Sequence, residues 1–215
     1  MNAASPKELN SNDRQSRSRR LVVLLGSCLL AALPQPGAWA QTQAGAVTAV
    51  KGEAAAEATG ARRTLAQGAN VFVDETISTG LDARLTLNLG RNTTIKIGEN
   101  ARMKLDRHMV DAGGAFDLQA GPVLFNRGTG GPKGDTRFRS PYGLLAVRGT
   151  KFFAGPSNGV FGVLVVRGRV DVTGGGKTVR LTPGLGTNIA KPGDTPTAPS
   201  VWKPARVKAA LQSVE

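Results

Sequence analysis

The feature that most constrains the fold is a run in which Leu85, Leu87 and Leu89 are separated by Thr86 and Asn88, so that every second side chain is apolar. A period of two puts those side chains on one face of an extended strand, whereas a helix would scatter them around its axis. Ile95 and Ile97 repeat the pattern after a turn at Gly90 to Asn92, and Met103 and Leu105 repeat it after Gly98 to Asn100. Shorter segments of the same kind are Val47 to Lys51, Val71 to Val73, Phe116 to Leu118, Val123 to Phe125, Thr136 to Phe138, Leu144 to Val147 and Lys151 to Ala154. Val160 to Val166, Val170 to Val172, Val179 to Leu181 and Thr187 to Ile189 complete the set. With 28 glycines as punctuation, the pattern predicts an all-β fold of many short strands. The spacing of about eight to ten residues suits either a sandwich of hairpins or a β-roll or solenoid-like stack. Strands this short bury little individually, which tilts the expectation toward the roll.

One short helix is predicted over 204–214, with Pro204 in its first turn and Val207, Ala210, Leu211 and Val214 at helical spacing. Its expected role is to cover a sheet edge or the end of the core, with Trp202 as anchor; docking to a partner is the alternative. The stretch 191–203 contains Pro192, Pro196 and Pro199 and reads as an extended linker after a β domain spanning 41–190, with its core over 65–189.

Residues 1–40 read as a cleavable export signal. Arg14, Arg17, Arg19 and Arg20 charge its start, Leu21 to Leu33 form an apolar run, and Ala38-Trp39-Ala40 precedes the expected cut before Gln41. The run is shorter than the roughly 20 residues of a comfortable membrane helix and is followed by Pro34 and Pro36, so no transmembrane anchor is expected in the mature chain. Cys28 sits too early in the apolar run for a lipoprotein site, and Arg19-Arg20 leaves both the ordinary and the twin-arginine export routes open. The expected location is periplasmic or secreted.

The leader takes five of the 28 basic and two of the 15 acidic side chains, leaving a mature net charge of +10 and no cysteine. Disulfides and thiolate chemistry are thereby excluded. The basic charge raises the question of a polyanion. Export and the low aromatic content of 5% argue against nucleic acid, and leave a protein partner in the envelope or an anionic wall or surface polysaccharide.

Groups for catalysis are scarce. His108 is the sole histidine and is expected in a surface turn; a metal site from His108, Asp106 and Asp111 has only loose spacing behind it. Gly128 to Asp135 resembles a phosphate cradle, but Lys133 is followed by Gly134-Asp135 rather than Ser or Thr, and the flanks are β, so a hairpin tip is expected. The reading is of a non-enzyme with no catalytic, cofactor or metal site. Arg137 and Arg139 alternate on one strand, and Arg167 and Arg169 straddle Gly168, so these four are the candidate partner-binding side chains, against the simpler reading of a solvated strand face.

Three blocks of residues in order carry a family resemblance. The first runs from Leu65, Gly68, Val71, Ile77 and Thr79 through Leu85, Leu87, Leu89, Thr93, Ile95 and Ile97 to Leu105; the third comprises Val163, Val165, Gly168, Val170, Val172, Leu181, Pro183-Gly184 and Gly186. Between them lie Phe138, Ser140-Pro141, Gly143 and Val147-Arg148-Gly149-Thr150 with Phe152. This arrangement resembles the FecR family, whose periplasmic domain occurs in iron-transport signalling systems of Gram-negative bacteria. The resemblance implies an exported, stand-alone interaction or signalling module, without the anti-sigma segment of full regulators. Ser140, Pro141, Gly143, Val147, Arg148, Gly149, Thr150 and Phe152 are expected to serve the fold: Arg148 tying turns through backbone carbonyls, Gly149 permitting a tight backbone approach, Thr150 holding a turn. The chain departs from the family pattern at Asp74-Glu75, where Gly-Asp is usual, and at Arg91-Asn92-Thr93, where Asp-Gly-Ser is usual. Asn92 is expected to take the left-handed conformation there.

Overall fold

A computed structural model describes residues 42–106, 114–128 and 136–215. The expectations for the leader, for His108 and Asp111, and for the tip at 129–135 lie outside the described residues.

The described strands are β1 (Gln43–Lys51), β2 (Ala54–Ala58), β3 (Ala61–Thr64), β4 (Asn70–Phe72), β5 (Thr76–Thr79), β6 (Arg84–Leu89), β7 (Thr93–Ile97) and β8 (Arg102–Leu105). They continue as β9 (Ala115–Ala120), β10 (Val123–Arg127), β11 (Thr136–Ser140), β12 (Gly143–Ser157), β13 (Val160–Gly174), β14 (Lys177–Leu181), β15 (Leu185–Ile189) and β16 (Ser200–Val201), before helix α1 (Pro204–Gln212). The protein is all-β with one short C-terminal helix, as the periodicity predicts. β2, β3, β5 and β16 go beyond the predicted set. Ala54 to Ala58 has no β-branched or aromatic residue and would suit a helix by propensity. Pairing with β3 and β5, and burial of Ala54, Ala55 and Ala56, overrides that preference.

The strands form one curled sheet in the order β3-β2-β5-β8-β9-β11-β12-β10-β7-β6-β1-β4, with β13 joined to β12, β14 and β15. Stacked coils would be joined by parallel ladders, whereas the described pairs are antiparallel except β9 with β11. The strands therefore form one curled, mainly antiparallel sheet rather than a stack of parallel coils. Its spine is the β12–β13 hairpin, which turns on Asn158-Gly159, both at positive φ, a pair suited to a two-residue hairpin loop. The first part of β12 pairs with β11 and the second with β10, so this one long strand joins the two halves of the sheet path, while β13 carries β14 and β15. The segments 144–147 and 151–154, expected as two strands, are therefore one strand with a bulge, and 160–166 and 170–172 likewise merge into β13.

The two halves meet around four phenylalanines. Phe116 and Phe138 are register partners on β9 and β11 and stack at 4.5 Å; Phe125 and Phe152 are register partners on β10 and β12. Phe138 meets Phe125 and Phe152 edge-on at 5.1 Å, joining the pairs. The terminal strands of the curl, β3 and β4, are tied by side chains: Arg63 donates to the Asn70 carbonyl (2.7 Å) and to both oxygens of Glu75 (2.9 Å), and Glu75 accepts the Phe72 N–H (2.8 Å). Asp74, at φ +68°, takes the left-handed conformation that glycine supplies in the usual family pattern. At the other departure the expectation is corrected: Gly90, not Asn92, carries positive φ in the β6–β7 turn.

Helix α1 covers a sheet face rather than an edge. Leu124, Phe153 and Leu164 point away from the phenylalanine core and form a second cluster with Trp202, Ala210 and Val214. Burial on both faces explains why β12 and β13 read there as continuous apolar runs. The Trp202 indole abuts Gly162 and Gly186, where any Cβ would collide with it, and the Arg206 guanidinium stacks on the ring at 3.6 Å. The stretch 191–203 is a strap along β15 rather than a free linker: Thr197 N–H donates to Asn188, Thr187 Oγ1 donates to the Thr197 carbonyl (2.7 Å), and Pro196 is buried.

Candidate functional site

The signature residues run from the β11–β12 turn at Ser140 to Gly143 along β12 to the bend of the β12–β13 hairpin at Arg148 to Lys151. Gly149 has φ +56° with open space where a Cβ would stand, so its role is the left-handed backbone of the bulge. The tight backbone approach expected at Gly149 occurs instead at Gly168, where a Cβ would lie 2.5 Å from the Gly149 carbonyl oxygen and 2.8 Å from that of Arg148. Thr150 is fully buried and its Oγ1 donates to the Arg169 carbonyl at 3.4 Å, bridging the two strands beside the bulge. Ser140 Oγ accepts the Tyr142 N–H and donates to the Gly143 carbonyl, both at 3.2 Å, and closes the turn through Pro141. A Cβ on Gly143 would strike the Thr173 carbonyl. Val147 and Phe152 enter the core on either side of the bend.

The bulge also decides what faces solvent. Val147 and Val170 are inward register partners, so the next residues along, Arg148 and Arg169, stand opposite one another on the outer face. Two positions away, Ala146 pairs with Asp171 on one side and Arg137 on the other, and Asp171 pairs with Arg180 on β14. Arg180 clasps Asp171 in a bidentate pair, Nε to Oδ1 at 2.7 Å and Nη2 to Oδ2 at 3.1 Å. That hydrogen bonding, reinforced by the charges of Arg180, Arg169 and Arg148, holds the Asp171 carboxyl below the usual aspartate range; the same pair raises Arg180. A cleft of about 230 Å³ opens here, lined by Ala146, Val147, Arg148, Arg169, Asp171 and Arg180.

The four arginines expected to act together are divided by the fold. Arg137 and Arg169 lie on this face around Asp171. Arg139 is on the same strand as Arg137 but pairs with Asp106 at 3.4 Å. Arg167 reaches across to β10, donating to Asn126 Oδ1 (3.1 Å) and to the Arg127 carbonyl (2.7 Å). Arg148, read from the sequence as a structural tie between turns, lines the cleft on the outer face. Asp171 and Arg180 were not legible as a pair from composition, yet the triple glycine at 174–176 marks a hairpin, and counting back from Gly174 opposite Lys177 places them opposite each other. Among the described residues, no group of three or more His, Cys, Asp or Glu could hold a metal ion, and no helix is long and apolar enough to cross a membrane.

Residues 75–171 match the family model described as FecR protein. Two crystal structures of a candidate anti-sigma factor from Parabacteroides distasonis ATCC 8503 share the fold, each with a TM-score of 0.53 at 17% identity. The alignment covers 64% of this chain and 64% of theirs. A search of curated proteins found no similar sequence. The matched span begins at Glu75, which ties the ends of the sheet, and ends at Asp171, at the centre of the arginine face. Over residues 75–171, just under half of its length, this chain is similar to the FecR family, in keeping with the resemblance of its motifs.

Proposed function

We propose that this chain is an exported interaction module of the bacterial envelope with a signalling role, and that it engages a protein partner through the outer face formed by Arg137, Arg148, Arg169 and Arg180. The observation that carries the proposal is the clustering of Arg137, Arg169 and Arg180 about Asp171, on strands whose opposite face is the core. A surface that served only solubility would gain from interspersed charge of both signs. Export rests on the leader, and the signalling role on the FecR match and on what is recorded of the structural neighbours.

A protein is favoured over an anionic polysaccharide by Leu144. It stands on the same outer face, in register with Arg139 and Thr173, and remains 37% exposed. An apolar side chain beside arginines is the make-up of a protein contact. A photocrosslinking residue at position 144 tests this in cells. One dominant envelope protein is expected from position 144 and not from the exposed position 81. Retention on the wall fraction with no crosslinked protein would replace the proposal with the polysaccharide reading.

A further inference from the structure

Apart from the arginine face, we propose a second binding site: the cleft where β1, β6 and β7 meet the end of the C-terminal helix is a seat for a phosphate group, and the side chain of Glu215 competes for it. The cleft has a volume of about 220 Å³, and Lys51, Arg84, Thr86, Lys96 and Glu215 all line it. Ala49, Thr86 and Lys96 form one cross-strand row on the outer face, and Lys51 opposite Arg84 forms the next. Like charges directly opposite one another oppose sheet formation, yet Lys51 and Arg84 stand so. Among the described residues neither has a carboxylate within ion-pair distance, and Arg84 uses one nitrogen on the Ala83 carbonyl at 2.8 Å. Lys96 has Glu215 alone, Nζ to Oε1 at 3.8 Å.

The donor set selects the ligand. Two ammonium groups, a guanidinium and the Thr86 hydroxyl come from three strands rather than from one planar fork. Donors arranged in this way surround a tetrahedral oxyanion, whereas a planar carboxylate is matched by a single guanidinium. Three cations against one carboxylate also leave two positive charges, which suit a phosphate dianion better than a monoanion. The helix end places the competitor. Val214 is 2% exposed in the outer cluster, and a Cβ on Gly98 would strike the Ser213 carbonyl, so the last turn is fixed against β7 with Glu215 at the rim of the cleft.

The test titrates the purified exported protein with inorganic phosphate at fixed ionic strength, read by backbone amide shifts. Saturable shifts are expected at Lys51, Arg84, Thr86 and Lys96. Lys51→Glu with Arg84→Glu keeps the like-charged pairing of β1 with β6 and should weaken binding at least about tenfold, because two attractive charges become repulsive. Lys177→Glu with Lys191→Glu makes the same change in net charge at exposed side chains far along the sequence and should alter binding less than about twofold. Glu215→Gln should tighten binding several-fold, and a gain cannot arise from misfolding. Vesicles of phosphatidic acid in phosphatidylcholine distinguish the source: retention that is lost in the Lys51 and Arg84 variant supports the seat with a lipid headgroup as its ligand, whereas phosphate binding without retention supports it with a small soluble phosphate. Absence of both saturable shifts and retention overturns the inference. So does equal loss in the control, unchanged or weaker binding in Glu215→Gln, or tighter binding of acetate than of phosphate. The arginine face is tested separately by crosslinking from position 144, so either site can fail without the other.

Discussion

Arg63 on β3 and Glu75 beyond β4 form a clasp in which one guanidinium nitrogen lies 2.9 Å from each carboxylate oxygen. The clasp joins the two ends of a sheet path that is otherwise held by backbone ladders. Glu75 is almost fully buried, and its carboxylate also accepts the Phe72 N–H, so removing it strands a backbone donor as well as a cation. Glu75→Ala is expected to destabilise the fold by about 2 kcal/mol, reduced from the buried-pair range because Arg63 is partly solvated. Glu75→Gln retains an acceptor and should cost about half as much. Urea melts of both, with Arg63→Ala to complete a double-mutant cycle, check the coupling; additive losses would show that the curl does not depend on this clasp.

The bend in the spine makes a second prediction, because its two glycines serve different ends. Gly149 supplies a positive φ in open space, so Gly149→Asn should stay near wild type and Gly149→Ala should cost about 1 kcal/mol. Gly168 combines positive φ with carbonyls of Arg148 and Gly149 in the way of any Cβ, and Gly168→Ala should cost about 3 kcal/mol. Thermal melts that reverse this order would mean the bulge is held by something other than these backbone constraints.

Legibility in the sequence followed the strength of the local pattern. Leu85 to Leu89, Ile95 to Ile97 and Met103 to Leu105 each become strands because alternation and turn residues agree with the tertiary pairing. Ala54 to Ala58 was illegible because its strand state comes from neighbours, not from its own residues. The bend at Gly149 was visible as an interruption but not as a bulge, since a glycine that ends a strand and one that kinks it look alike in sequence. For the site, Arg137 and Arg169 were identifiable by alternation, while the separation of Arg139 and Arg167 depends on Asp106 and Asn126, which only folding brings near.

A third prediction concerns acid. The Asp171 carboxyl is depressed chiefly by its hydrogen bonds from Arg180, so this pair contributes stability that is present above the unfolded aspartate value, about 3.9, and fades as pH falls through the lower folded value. Both groups are largely solvated, so the contribution is small and is best read at the group itself. Carboxyl chemical shifts should show Asp171 titrating below the usual aspartate range, and Arg180→Ala should move its midpoint upward. An unmoved midpoint would assign the depression to Arg169 and Arg148 instead.

The C-terminal helix gives the last prediction. Its contact with the sheet is a cluster separate from the phenylalanine core, so the two should fail separately. Trp202 belongs to that cluster, packed against Gly162 and Gly186 and stacked on by the Arg206 guanidinium, and Trp202→Ala should cost about 3 kcal/mol. The indole Nε1 is buried with no hydrogen-bond partner, so Trp202→Phe surrenders no hydrogen bond and should cost about 1 kcal/mol, from lost ring area alone. Arg206 also donates to Ser157 Oγ (3.0 Å), the Ser157 carbonyl (3.2 Å) and Asn188 Oδ1 (2.7 Å), and Arg206→Ala should loosen the helix while leaving the sheet paired. Hydrogen exchange of that variant is expected to accelerate over 204–212 and at the outer cluster, with β6, β7 and β9 still protected. Uniform acceleration across all strands would show instead that helix and sheet form one cooperative unit.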